Sequence, residues 1–257
     1  MRMKYLIIAV KYIFKDLTRN RVILLLLFLI PTVFYLTAWL TTSDRPTVFT
    51  LATVKSEPSI TVSEQEVMLV FLGLAASGPI AAYLALNLMQ RNTLVKKRLI
   101  LAGFHTKELL TAKLVITVFL ITLVGTFISL MGLMFFEPKN FAGMTLGYIL
   151  CGFVYGCYGL LVGSVIKREL EGVLMILLLA NIDVGWLQNP VLYAASQNKI
   201  IITWLPAFFP AQVSITSAFT EYSISPAILE SLLYGIVFML ISVFLFWYRM
   251  RIIKPQL

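Results

Sequence analysis

Residues 90–136 read QRNTLVKKRLILAGFHTKELLTAKLVITVFLITLVGTFISLMGLMFF, and the two halves of that stretch differ in kind. The first half, Gln90 to Lys113, carries Arg91, Lys96, Lys97, Arg98, Lys107 and Lys113. The second, Leu114 to Phe136, has no charged residue and exceeds the ~20 residues needed to cross a ~30 Å hydrocarbon core. Five further apolar stretches run from Val22 to Trp39, Val67 to Met89, Thr145 to Ile166, Gly172 to Leu187 and Ile228 to Tyr248. Counting the N-terminus as the zeroth gap, the even gaps hold seventeen of the 21 lysines and arginines; the odd gaps hold only Arg45, Lys55, Lys139 and Lys199. Positive charge is retained on the cytoplasmic side. The split therefore predicts six crossings with both termini inside.

A soluble globule needs a polar shell. This chain of 257 residues is 60% hydrophobic and 13% charged, with a mean hydropathy of +0.91, and has no room for a soluble domain beside six spans. Residues 1–257 read as a single membrane unit. The net charge of +9 would suggest nucleic acid in a soluble protein. Here the basic residues flank spans, so orientation and anionic headgroups account for them without nucleic acid. Cys151 and Cys157 share the fourth span, six residues apart on different faces and about 9 Å apart along the axis, and cannot pair within the chain. Lys11, Lys15 and Asp16 interrupt the start, so a cleavable signal peptide is not expected.

Residues 1–20 have the pattern of an interfacial helix. At 100° per residue Lys4, Lys11, Lys15 and Arg19 fall within about 80°, while Leu6, Val10, Ile13, Phe14 and Leu17 take the other side. Such a helix floats among headgroups; the alternative is a short extension with no ordered position. Pro46 and Pro58 argue against regular structure in the outside loop Thr41 to Glu66, and Pro31 and Gly78-Pro79 suggest bends in spans one and two. The fourth span repeats glycine at Gly152, Gly156, Gly159 and Gly163, a bare face for packing within the chain, for a dimer seam or for a substrate groove. The segment 189–226 is outside by topology yet rich in leucine, isoleucine and aromatics. Pro190, Pro206, Pro210 and Pro226 cut it into pieces too short to span, which predicts re-entrant half-helices.

Missing motifs exclude several chemistries. No G-x-x-x-x-G-K-[ST] phosphate loop exists, so ATP hydrolysis is not expected of this chain. The only histidine, His105, lies in a link, which removes His-ligated metal and a serine–histidine pair from the spans. The spans offer only Asp183 and Glu230 as ionisable groups, too few for a proton or ion relay. A lone Asp183 at mid-membrane would cost roughly 2.5–3.5 kcal/mol, so it must be paired or near water. It is either a polar point on a translocation path or an anchor hydrogen-bonded to the following segment.

The link 90–113 is more specific. Its basic cluster is followed by Leu99, Ile100 and Leu101; Gly103 then breaks the helix, and Thr106 can cap a second helix that runs into the third span, with Glu108 in its first turn. A short helix across the membrane face, a turn and a re-entering helix suit insertion into a groove on a cytoplasmic partner.

With its basic elbow, six spans, long first outside loop and apolar insertion before the last span, the chain resembles the membrane subunits of ABC-2 type transporters. That family contains bacterial drug, lantibiotic and polysaccharide exporters. Arg91, Thr93, Lys97 or Arg98, Leu99, Gly103, Leu109, Leu110 and Lys113 follow the family's link pattern. Gln90-Arg91-Asn92 replaces the usual Glu-rich lead-in, and Ala102-Gly103-Phe104 stands where a proline is frequent. The resemblance implies an all-α integral membrane fold of the ABC-2, or type V exporter, kind in a bacterial plasma membrane. It implies a dimer with an identical or paralogous permease on two copies of an ABC ATPase, with ATP and magnesium held by the ATPase and no cofactor on this chain. Arg91, Thr93, Lys97, Arg98, Leu99, Gly103, Phe104, Leu109 and Lys113 would then couple to the ATPase. Asp183, Trp186, Tyr193, Trp204 and Phe208 are the candidates for the path or its outer gate. Spans almost devoid of charge suit a hydrophobic or amphipathic cargo. A sensor or assembly subunit that transports nothing is the alternative; an intramembrane enzyme would lack a histidine base.

Overall fold

The computed structural model describes residues 3–54, 57–90 and 106–253. They are helical apart from one hairpin and short connections. The order is α1 (Met3–Thr18), α2 (Arg21–Thr41), β1 (Pro46–Thr50), β2 (Ser59–Ser63), α3 (Glu64–Gln90), α4 (Thr106–Gly132), α5 (Phe141–Val165) and α6 (Glu169–Ile182). A π-turn (Asp183–Leu187), α7 (Pro190–Ala195), α8 (Lys199–Thr203), α9 (Phe208–Phe219) and α10 (Ser225–Ile253) complete it. Five segments are long and apolar enough to cross a membrane: Glu64–Gln90, Glu108–Gly132, Phe141–Val165, Glu169–Leu187 and Ser225–Leu245. The chain thus has the build of a multi-pass membrane protein. Helix α2 is 21 residues long, and its stretch Leu27–Thr41 is a shorter apolar helix by the same measure. Pro31 and Pro79 both lie inside continuous helices.

The hairpin corrects the expectation of an irregular outside loop. β1 and β2 pair antiparallel with Val48 opposite Thr61 and Phe49 opposite Ile60. Proline cannot donate to a ladder, but Pro46 opens β1 and Pro58 precedes β2, so neither interrupts the β-branched run between. Phe49 and Leu51 are buried while Val48 is exposed. The Glu64 N–H donates to the Arg45 carbonyl at 2.8 Å where β2 passes into α3, and Glu64 and Glu66 sit in that helix's first turn, where the dipole favours acids.

Helix α5 is the hub, touching α3, α4, α6, α9 and α10. Its glycines are shared among three neighbours. A Cβ on Gly143 or Gly147 would strike Ser217 or Ser214 of α9; on Gly156, Ile121 of α4; on Gly159 or Gly163, Ala82 or Met89 of α3. A Cβ on Gly152 would come 3.1 Å from Ile121 and 3.5 Å from Ala81. The bare face predicted for Gly152 to Gly163 is therefore used inside the chain. The reciprocal device occurs at Gly73 of α3, where the hydroxyls of Tyr35 and Tyr148 each lie 2.7 Å from the position a Cβ would take.

Gly159→Ala should destabilise the protein by about 1–3 kcal/mol or more, because the methyl meets the Ala82 backbone carbonyl, which cannot rotate away. Gly185→Ala, whose nearest neighbour would be the Ala180 carbonyl at 3.4 Å, should be tolerated. Thermal unfolding of the detergent-solubilised variants compares the two; equal melting temperatures would contradict the close α3–α5 approach.

Candidate functional site

Of the nine candidate coupling residues, Arg91, Thr93, Lys97, Arg98, Leu99, Gly103 and Phe104 lie outside the described residues. Leu109 and Lys113 stand in the first turns of α4, and both side chains are occupied within the chain. Leu109 is buried with Ala9 and Ala112 against Tyr5, Leu6, Val10 and Ile13 of α1. Lys113 is 6% exposed, and its Nζ donates to the carbonyls of Leu88 at 2.5 Å and Met89 at 3.3 Å. Those carbonyls belong to the last turn of α3, where the helix leaves acceptors unfilled and its dipole favours a cation. Lys113 thereby clamps the helix that enters the link to the helix that leaves it. Asn87 Nδ2 donates to Glu169 Oε1 at 3.1 Å, and Gln90 Nε2 to the Ile166 carbonyl at 2.9 Å, tying the same end of α3 to the α5–α6 connection.

The other polar concentration centres on Asp183, which follows the last turn of α6 and is fully buried. The π-turn that ends α6 delivers its carboxylate between α5 and the segment 189–226. Oδ2 accepts from Tyr155 Oη at 2.7 Å and from the Ala207 N–H at 2.9 Å; Oδ1 accepts from Gln188 Nε2 at 2.6 Å. Ala207 is the N-cap residue of α9, so the carboxylate sits where that helix presents unfilled N–H groups and its positive dipole end. Every neighbour donates. The site's geometry is that of an anchor to the following segment. At the far end of α9, the N–H groups of Lys139 and Asn140 donate to the Ala218 and Ser217 carbonyls, both at 2.9 Å. This half-helix is held at both termini.

The five residues proposed for a path or gate divide into two sets. Asp183, Tyr193 and Phe208 are buried, the two rings 5.7 Å apart with Ile202 beside them and Lys199 Nζ 5.2 Å above the Tyr193 ring. Trp186 and Trp204 turn outward, 60% and 74% exposed, although Tyr234 of α10 holds the Trp204 carbonyl through its hydroxyl at 2.6 Å. The segment is helical in three pieces, α7, α8 and α9, each too short to span. The piece that goes deepest is α9, of which only Phe209 is not buried. The more aromatic run before it, 191–205, is less completely buried. Small and hydroxylated residues decide the matter: Ser214 and Ser217 fit against Gly147 and Gly143, and depth follows shape as well as hydropathy. The oxygens Gln212 Oε1, Ser214 Oγ, Thr216 Oγ1 and Ser217 Oγ of α9 are buried without a hydrogen-bond partner.

Tyr155, Gln188 and Ala207 were not anticipated. Gln188 could have been suspected from its place five residues after an intramembrane Asp. Tyr155 and Ala207 carry no such signal, since they reach Asp183 only through the tertiary fold. Cys151 and Cys157 are free and buried, and among the described residues no group of three or more His, Cys, Asp or Glu could hold a metal. No model of a known protein family matches the chain, and no curated protein matches it.

Asp183→Ala should cost more than Tyr155→Phe. The first leaves three buried donors without an acceptor, at about 1–3 kcal/mol each, while the second leaves the carboxylate two of its three donors. Unfolding midpoints, with hydrogen exchange at Ala207, read the difference; an unchanged Ala207 amide in Asp183→Ala would show that the carboxylate does not hold α9.

Proposed function

We propose that this chain is the permease subunit of an ABC-2 type exporter, with α2 as a sixth span and α1 as its elbow. The observation that carries the reading is the sequence of the link 90–113, basic, leucine-bearing and with Gly103 at its middle, between two apolar runs of a chain that has no phosphate loop. Two such subunits, identical or paralogous, would sit on two ATPase subunits that bind ATP and magnesium. ATPase closure pushes the link around Leu99 to Phe104. The clamp of Lys113 on α3 and the seat of Leu109 on α1 supply a mechanical reason for that push to reach α1, α3 and α4 together. The cargo is a hydrophobic or amphipathic drug, antibiotic, peptide or lipid-like compound, because the spans offer almost no charge to hold an ion or a sugar.

At the outer end, Asp183 fixes α9, so movement during export falls to α7 and α8, with Tyr193 and Phe208 as the closing rings and Trp186 and Trp204 at the interface that indoles prefer. Both chain termini are then cytoplasmic, in a bacterial plasma membrane.

Purification of the tagged chain from its native membrane should bring down an ATPase. Leu99→Glu with Phe104→Glu should abolish that association, or its stimulation by cargo, while membrane insertion survives. Co-purification and ATP-driven export that both persist in the double variant would move coupling elsewhere; an ATPase that binds without any cargo moving would favour a sensor or assembly subunit. In a background of Cys151→Ala and Cys157→Ala, Gln197→Cys should react with an impermeant thiol reagent from outside and Thr106→Cys should not. Outside labelling at position 106 would defeat the six-span arrangement.

A further inference from the structure

We infer that α1 is a binding surface for anionic phospholipid headgroups, and that lipid held there seats α1 against α4 beside the link. The clause about the link rests on the exporter reading; the lipid surface itself does not. Helix α1 has three sectors. Ala9, with Leu6, Val10 and Ile13, packs on Leu109 and Ala112. Ile7 and Phe14, 59% and 44% exposed, form an apolar flank. On the side away from α4, Lys11, Lys15 and Arg19 are exposed within an arc of about 80° at 100° per residue, with the exposed Ile8 among them. Among the described residues none of these three cations forms an ion pair, whereas Arg168 pairs with Glu171. Through Asn20 the sequence holds a single acid, Asp16.

The partner's chemistry follows from where the helix sits. The Phe14 ring stacks edge-on against Phe119 of α4 at 5.9 Å, and Phe119 lies inside the charge-free run of a helix long and apolar enough to cross a membrane. The apolar flank is therefore at the depth of acyl chains, where a soluble protein or nucleic acid cannot reach. A basic row on the same helix can extend its charged tips to the headgroup layer while the stems stay apolar. The anions available there are lipid phosphates. Near such a surface each lysine or arginine strengthens association about fivefold. Because α1 runs along α4 from Leu109 to Phe119, roughly 15 Å of helix axis, holding α1 down also holds the first turns of α4, where Lys113 grips the end of α3.

The test uses the full chain in nanodiscs of phosphatidylcholine with and without phosphatidylglycerol, reading retained lipid by native mass spectrometry and amide exchange across α1. Wild type should retain phosphatidylglycerol above its share of the mixture, less so at high salt, and α1 should exchange more slowly only when that lipid is present. Lys11→Gln, Lys15→Gln and Arg19→Gln together should remove both effects, and Lys11→Arg with Lys15→Arg should keep them. Should the triple variant fail to insert, the salt dependence of wild type and the arginine variant still decide. Equal retention by the triple variant, equal protection of α1 by phosphatidylcholine alone, indifference to salt, or an equal loss from Lys167→Gln with Arg168→Gln at another connection would each overturn the inference. None of these readouts needs an ATPase, so failure of the exporter reading leaves a separate signature, the absence of a co-purifying subunit.

Discussion

In lipid, helices gain nothing by hiding apolar surface from one another, so a bundle holds only where backbones come near enough for dispersion and weak polar contacts to accumulate. Here that condition is met along α5. Gly143 and Gly147 admit α9, Gly152 and Gly156 admit Ile121 of α4, and Gly159 and Gly163 admit the backbone and side chains of α3 at Ala82 and Met89. One helix thereby receives three others without a side chain between them at these points. The placement of Asp183 follows from the same approach, since Tyr155 of α5 reaches it only because α5 lies deep in the bundle.

The two groups with most need of a partner are handled alike. Lys113 and Asp183 are both buried, and each is placed at the end of a helix other than its own. The ammonium meets the carbonyls that finish α3, and the carboxylate meets the N–H that starts α9. A helix terminus has unfilled groups and a partial charge of fixed sign, so it can receive an ion where an opposite side-chain charge would itself need burial. These connections are thus fastened to the bundle at known atoms, and α7 and α8, with Ile200, Ile201 and Trp204 exposed, are the parts of the segment 189–226 least committed to it.

Much of the plan is legible along the chain. Five of the six apolar runs coincide with segments able to cross a membrane, because length and hydropathy are local properties. Thr106–Gly132 is one continuous helix that runs into the third run, with Glu108 in its first turn as its position suggested. The hairpin was misjudged for a local reason, since Pro46 and Pro58 were weighed as breakers without asking whether they stood inside the ladder or at its edge. The close packing of α9 has a tertiary origin. Ser214 and Ser217 look like residues for water until Gly147 and Gly143 are seen to face them.

Sequence alone therefore determined that the chain is a membrane-type helical protein, how long its apolar helices are, and that Asp183 could not stand unpartnered. Those conclusions need only residue type and spacing. Which atoms answer Asp183, which half-helix lies deepest and where Lys113 discharges its donors were decided by the tertiary structure. Tyr155 and Ala207 stand 28 and 24 residues from Asp183, Leu88 and Met89 stand 25 and 24 from Lys113, and the serines of α9 meet glycines further away still, so these pairings exist only in the folded chain.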